Sequence, residues 1–212
     1  MTNIKLNLES RGLYVDRKFL QKDKIEDPLP YFLLKESRPG VVEFNRDKIL
    51  KEGNKTLIEL FQSIESLMEL INGRLEFHKL WFQTTTKDSA QSFEAKASPF
   101  LPHIDTQRYV KAMVYLTDVG GDNGPFTSSE LNPNMFENLR KHIHSKDPVW
   151  MDYQSHQKEF DMTKNTYEPI LGERGMLIVF DTNTPHFAGK IISNQPRKIL
   201  RFDFWDRDFI LK

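Results

Sequence analysis

The sequence predicts an α+β protein: helical support first, then a mainly β region folded as a sandwich or barrel. Three observations carry this. One strongly amphipathic stretch occupies roughly residues 54–72. Beyond Gly73 the apolar pattern changes to short aromatic and β-branched runs punctuated by turn signals. No repeat or low-complexity linker divides the 212 residues, a length that suits one sizeable domain. The expected organisation is a single domain over 1–212, with 1–73 as support and 75–205 as the core, carrying a long insertion at 127–170.

Taken in order, residues 1–45 read as irregular. Pro28, Pro30 and Pro39 break the pattern, and apolar runs such as Tyr31-Phe32-Leu33-Leu34 are short. Leu57, Leu60, Phe61, Ile64, Leu67, Met68 and Ile71 then recur at spacings of three and four, which puts them on one helix face for packing against a sheet. Gly73 is placed to end that helix. Leu75–Thr85 is rich in aromatic and β-favouring residues and reads as a strand, as does Tyr109–Val119. Gly120-Gly121-Asp122-Asn123-Gly124-Pro125 is a dense turn signal that stops the second. It is not a phosphate loop, because no Gly-Lys-Ser/Thr follows. Asn132-Pro133 can cap a short helix running to about His144. Residues 145–170 are polar and carry no clear periodicity. Met176–Asp181 and Ile199–Trp205 are two further strands.

Composition narrows the class. Thirty basic and 30 acidic residues balance, so no nucleic-acid or membrane surface is advertised. Cysteine is absent, which removes disulfides and thiolate metal sites. The N-terminus lacks a signal-peptide layout and no segment approaches the ~20 apolar residues of a membrane span; a cytoplasmic protein is expected. Asn54-Lys55-Thr56 matches a glycosylation acceptor, but in that setting it reads as chance.

The chemistry-bearing pattern is His103-Ile104-Asp105, followed 83 residues on by His186 and 11 further on by Arg197. A His-x-Asp pair and a distant His can supply three ligands on one face of a metal. That 2-His-1-carboxylate set leaves coordination positions open and suits non-haem Fe(II). Side chains two apart on an extended segment share a face, and Pro102 favours extension before it. The same parity brings Gln107, Tyr109, Lys111, Met113 and Tyr115 to that face. His186 follows the turn-like Asp181-Thr182-Asn183-Thr184-Pro185, a loop position at a barrel mouth. Arg197 begins the next strand and offers a planar two-pronged cation for a carboxylate; Arg201 shares its parity and competes for that task. His142 and His144, two apart on a helix, point in different directions and make a poor metal pair. His78 and His156 read as structural or exposed.

The surrounding residues sharpen this. Gly175-Met176-Leu177-Ile178-Val179-Phe180-Asp181 precedes the distal His, and Leu116-Thr117-Asp118-Val119 leads into Asp122-Asn123-Gly124-Pro125. With these motifs the chain resembles the Fe(II)/2-oxoglutarate dioxygenases, and among them the phytanoyl-CoA dioxygenase-like group, over about residues 75–205. The resemblance implies a double-stranded β-helix, or jelly roll, with N-terminal helices buttressing one sheet. It implies Fe(II) held by His103, Asp105 and His186, and Arg197 paired with the distal carboxylate of 2-oxoglutarate. The implied reaction consumes O2, hydroxylates a small-molecule substrate and releases succinate and CO2. Asp105 argues against halogenation, since related halogenases carry a small residue there.

The chain departs from the group in two places. Phe126-Thr127-Ser128-Ser129-Glu130 stands where many members have a Pro-Gly-Ser-His-like segment. Ala188 stands where members often carry a serine two residues after the distal His, so a different hydroxyl assists Arg197 or none does. Lys111 and Tyr115 are further candidates for the site, and 127–170 for substrate selection. Two other functions compete: a catalytically silent metal- or 2-oxoglutarate-binding module on this fold, and a cupin-like metal-dependent non-oxygenase. The intact ligand set disfavours the first; cupin sites lean on several His residues and give Arg197 no task. A nucleic-acid demethylase gains no support from the neutral charge balance.

Overall fold

Two antiparallel sheets face each other, and helices cover the outer face of the larger one. The structure, a computed structural model, describes residues 3–21, 40–88, 100–146 and 164–206. Pro28, Pro30, Pro39, the Tyr31–Leu34 run and His156 fall outside those residues, as does 147–163 of the expected insertion.

The large sheet has six strands in the order β1 (Leu13–Asp16), β7 (Leu177–Asp181), β4 (Val110–Tyr115), β9 (Arg197–Asp206), β3 (Leu75–Thr85) and β2 (Val41–Phe44). The small sheet has three: β6 (Glu168–Ile170), β5 (Phe126–Ser128) and β8 (His186–Ala188). These facing sheets are the jelly roll that the resemblance implied. β3 matches its expected bounds, whereas β4 stops at Tyr115 rather than Val119 because the chain bends at Leu116 and Thr117.

Alternation along the large sheet assigns its two faces. Leu80, Phe82, Ala112, Val114, Leu200 and Phe202 point outward into one cluster with the helices. Met113, Tyr115, Ile178, Phe180 and Ile199 point inward, toward Phe126 and Ile170 of the small sheet. The amphipathic stretch forms α3 (Lys55–Ile71), burying Leu57, Leu60, Phe61, Ile64, Met68 and Ile71 against the outer face. Phe61 is wholly buried and meets Phe77 edge-on at 4.8 Å. Asn54 caps this helix by accepting from Leu57 N, so the Asn54-Lys55-Thr56 triplet has a structural use. The helix ends at Ile71, two residues before Gly73: Asn72 is the cap, extended at φ −159°, and its N–H donates to Met68 O.

Residues 1–45 are not irregular where described. They hold α1 (Asn3–Arg11), β1 and β2, and α2 (Arg46–Glu52) follows. α1 buries only Ile4 and Leu8, a pair spaced by four that gives little periodicity to read. Gly12 follows α1 at φ +64°, and a Cβ there would lie 1.7 Å from Thr184 Oγ1, so the close approach of β1 to the 181–185 loop needs glycine. Asn132 caps a 3₁₀ turn, Pro133–Phe136, that runs into α4 (Glu137–Lys146). The stretch read as an insertion from 127 to 170 carries strand at both ends, since Thr127 and Ser128 lie in β5 and Glu168–Ile170 is β6. Among the described residues, no helix is long and apolar enough to cross a membrane.

Candidate active site

His103 and His186 meet through their backbones. Each N–H donates to the other's carbonyl, at 3.0 and 2.9 Å, in an isolated antiparallel bridge. Residues paired in this way project their side chains to one side, and the two imidazole centroids lie 4.5 Å apart. His103 is therefore held by a bridge rather than by a strand of its own. His186 is the first residue of β8 rather than part of a free loop.

Each ring is oriented a second time. His103 Nδ1 lies 2.7 Å from Leu101 O, and His186 Nδ1 lies 2.8 Å from Thr184 O. With Nδ1 protonated as those acceptors require, the lone pair of both rings falls on Nε2. Asp105 is fixed by its N–H, which donates to Thr182 O at 3.0 Å. Its Oδ1 lies 3.6 Å from His103 Nε2 and 3.9 Å from His186 Nε2. One ligand atom from each of the three residues falls within 4.8 Å of the others. Among the described residues this is the one such group; His142 and His144 do not join one. Two neutral imidazole nitrogens and one carboxylate oxygen converging on a point is the donor set that fits Fe(II).

The protonation states at the site are those of ligand donors. Burial depresses both imidazoles, His186 to about 3, so each is neutral near pH 7 and available as a donor. Burial alone would raise the Asp105 carboxyl, but Lys111, His186 and His103 outweigh it and hold it well below the usual carboxylate range. Lys111, itself buried, donates to Asp105 Oδ2 at 2.5 Å. The two carboxylate oxygens are thus divided: Oδ2 is taken by the ammonium, and Oδ1 faces the imidazoles. Lys111 also lies 5.5 Å over the Tyr109 ring. The parity reading is met for Lys111, although a bend at Thr106 and Gln107 separates Asp105 from β4.

Arg197 is 4% exposed and begins β9 on the inward face, two residues from Ile199. One arm donates to Gly124 O, while its buried Nε has no partner among the described residues. Burial pushes the guanidinium down, opposed by Tyr115, and among the described residues no carboxylate pairs with it. Arg201, the competitor, is engaged: Nε and Nη2 reach Asp203 at 2.9 and 3.0 Å, and the group lies 4.8 Å from the Trp81 ring centre. Tyr115 is occupied too, donating to Ile170 O at 2.9 Å and accepting from Phe126 N at 3.0 Å. The acceptor on Gly124 is set by its turn. Asn123 Oδ1 accepts from Gly120 N, and Asn123 Nδ2 donates to Asp118 O. Gly124 itself sits at φ +74°.

Sequence reasoning missed the frame behind these groups. Arg108 grips Asp181 with Nε and Nη2, at 3.0 and 2.6 Å to Oδ2. Asp181 Oδ1 accepts from Asn183 N at 2.9 Å, and Asn183 Nδ2 donates to Pro133 O at 2.6 Å. Arg140 of α4 donates to Thr106 O and pairs with Glu137. This lattice ties the loop that ends in His186 to the segment that carries Asp105. No local spacing signals it; Arg108 and Asp181 are 73 residues apart.

A sequence model of the phytanoyl-CoA dioxygenase (PhyH) family matches residues 41–199. No curated protein sequence matches significantly. Among solved structures, HygX from Streptomyces hygroscopicus, with nickel, 2-oxoglutarate and hygromycin B bound, is 13% identical with a TM-score of 0.66, covering 98% of this chain and 88% of its own. The 2-oxoglutarate-dependent carbocyclase SnoK from nogalamycin biosynthesis is 12% identical at 0.66, covering 97% and 84%. EctD from S. alaskensis, with 2-oxoglutarate and 5-hydroxyectoine, is 13% identical at 0.62, covering 99% and 77%. At these identities the solved structures speak to the fold.

Proposed function

Because the chain belongs to the phytanoyl-CoA dioxygenase family, a group of Fe(II)- and 2-oxoglutarate-dependent oxygenases, we propose that His103, Asp105 and His186 hold its iron. Arg197 then binds the distal carboxylate of 2-oxoglutarate, and the outcome is hydroxylation of a small molecule with release of succinate and CO2. The observation that carries this is the approach of Asp105 Oδ1 to both Nε2 atoms, at 3.6 and 3.9 Å, on rings whose other nitrogens are engaged. Bound iron, with O2 and the 2-oxo acid, supplies the oxidising chemistry; the chain supplies placement.

Each residue has a definable task. The carbonyls of Leu101 and Thr184 keep Nδ1 protonated and so present Nε2 as donor. Lys111 occupies Oδ2 and leaves Oδ1 as the carboxylate donor. Arg197, buried beside Tyr115 and lacking an acidic partner among the described residues, retains one orphaned donor for an anionic ligand. Ile199, two residues on from it, belongs to an apolar cluster with Met113, Ile178, Phe180 and Phe126 between the sheets.

The ligands named with HygX and EctD are hygromycin B and 5-hydroxyectoine, which supports a small organic molecule as the substrate class. The balanced charge supports no nucleic acid, and the cysteine-free chain suits the cytoplasm. The test is succinate formation from 2-oxoglutarate under O2. Wild type should produce it above background, His186→Ala should not, and equal turnover by the two proteins would remove the ligand assignment. A visible charge-transfer band on mixing Fe(II) and 2-oxoglutarate without O2 checks chelation separately.

A further inference from the structure

The position two residues after the distal His is Ala188, which pairs with Phe126 and offers no hydroxyl. The structure nonetheless holds an unused hydroxyl beside Arg197. Thr85, the last residue of β3, lies directly opposite Arg197 in the β3/β9 register. Directly opposed residues on antiparallel strands share a face, with Cβ atoms roughly 4.5–5.5 Å apart. Alternation agrees, since Leu80 and Phe82 point to the helices and Thr85 has the other parity. Thr85 is 5% exposed, and its Oγ1 has no hydrogen-bond partner among the described residues. Arg197 Nε, on the neighbouring strand, is buried and unpartnered as well.

Two orphaned groups side by side need a common explanation, because buried polar groups are rarely left unsatisfied. Both are hydrogen-bond donors, and one is cationic. The species that satisfies both is an anionic oxygen that enters with a ligand. We propose that Thr85 donates its hydroxyl to the same distal carboxylate that Arg197 pairs with, so that the two strands form one clamp selecting a 2-oxo dicarboxylic acid over a 2-oxo monocarboxylic acid. This rests on the co-substrate reading above and adds a residue to it. Thr85 takes the part left open at Ala188, from the opposite wall.

The experiment is a binding titration without O2. Fe(II)-loaded protein is titrated with 2-oxoglutarate and with 2-oxopentanoate, which keeps the chelating end and lacks the distal carboxylate; the charge-transfer band reports occupancy. Thr85→Val should weaken 2-oxoglutarate by about tenfold or more, the scale of a hydrogen bond to a charged group. It should leave 2-oxopentanoate within about twofold, and Thr85→Ser should restore most of the loss. Metal-free Thr85→Val should melt no lower than wild type, because the hydroxyl it removes has no partner to lose. Unchanged 2-oxoglutarate affinity, equal weakening of both acids, or a lowered Tm with discrimination intact would each overturn the assignment. If wild type itself shows no band, or no preference for 2-oxoglutarate, the parent reading fails instead.

Discussion

Replacing Arg108 with methionine tests the frame that aims the proposed ligands. The Arg108 side chain is 10% exposed and that of Asp181 is 8%. Three contacts of 3.1, 3.0 and 2.6 Å join them. Methionine fills much of the volume but leaves Asp181 charged and enclosed. Breaking a buried pair by removing one partner costs about 3–5 kcal/mol. Asn183 N still donates to Asp181 Oδ1, so the lower figure applies, about 3 kcal/mol. For a domain of this size each kcal/mol moves Tm by ~2–4 °C, giving a fall of roughly 6–12 °C in the metal-free protein. Urea unfolding gives the free energy directly. Arg108→Met/Asp181→Asn should recover about 2 kcal/mol relative to the sum of the single changes, because neither charge is then stranded. A second readout concerns the site: Ni(II) affinity should fall by roughly tenfold, as for lost supports of metal ligands. A single-variant loss below about 1 kcal/mol, or additivity within about 0.5 kcal/mol, would refute the reasoning.

Acidification should destabilise the metal-free protein early. His103 and His186 have folded pKa values below their ordinary 6.5. In that window the unfolded chain binds the protons and the folded one does not, so stability is full above pH 6.5 and falls as pH drops toward about 3. Asp105, held low, adds a loss below its ordinary 3.8. His186→Ala should flatten the slope between pH 4 and 6 by up to about 1.4 kcal/mol per pH unit; an unchanged slope would contradict the burial argument. Arg197→Met should raise the 2-oxoglutarate Kd by tenfold or more in the anaerobic titration, about the value of one charged contact. Arg201→Met should leave that Kd within about twofold, since Arg201 is committed to Asp203; the reverse ranking would exchange their roles. Gly124→Ala should cost about 1–3 kcal/mol, because φ is +74° and the new Cβ would lie 2.5 Å from Ile191 Cγ1. It should also weaken 2-oxoglutarate binding, as Gly124 O is the acceptor that holds Arg197.

The parts of this protein legible in its sequence are those whose chemistry is carried by residue type and short spacing. His103 and Asp105 are two apart, and the Asp122–Pro125 turn announces itself by composition. α3 shows because seven apolar residues repeat along it. α1 does not show, because Ile4 and Leu8 are its only buried residues and Leu6 is 51% exposed. β1 and β2 are four residues each, too short for an alternation to register. The site follows the same division. The proposed ligands were readable, but Leu101 O and Thr184 O, which set both tautomers, are backbone atoms with no residue signature. Arg108–Asp181 and Thr85–Arg197 are pairings of distant strands and loops, which the register of the folded sheets creates and no local pattern encodes.

The reciprocal backbone bridge between His103 and His186 has a thermodynamic consequence. Those residues lie 83 positions apart, and a cation gripped by both rings would act as a cross-link closing that span. Closing a loop of this length removes freedom from the unfolded chain worth about 4–5 kcal/mol in the chain-entropy treatment of cross-links. The small sheet, whose strands are three residues each, is where such a staple would act. Iron in this protein would then fasten the 103–105 segment to the edge of the small sheet as well as serve the reaction, so that loss of the ion loosens the fold at the site where it was held.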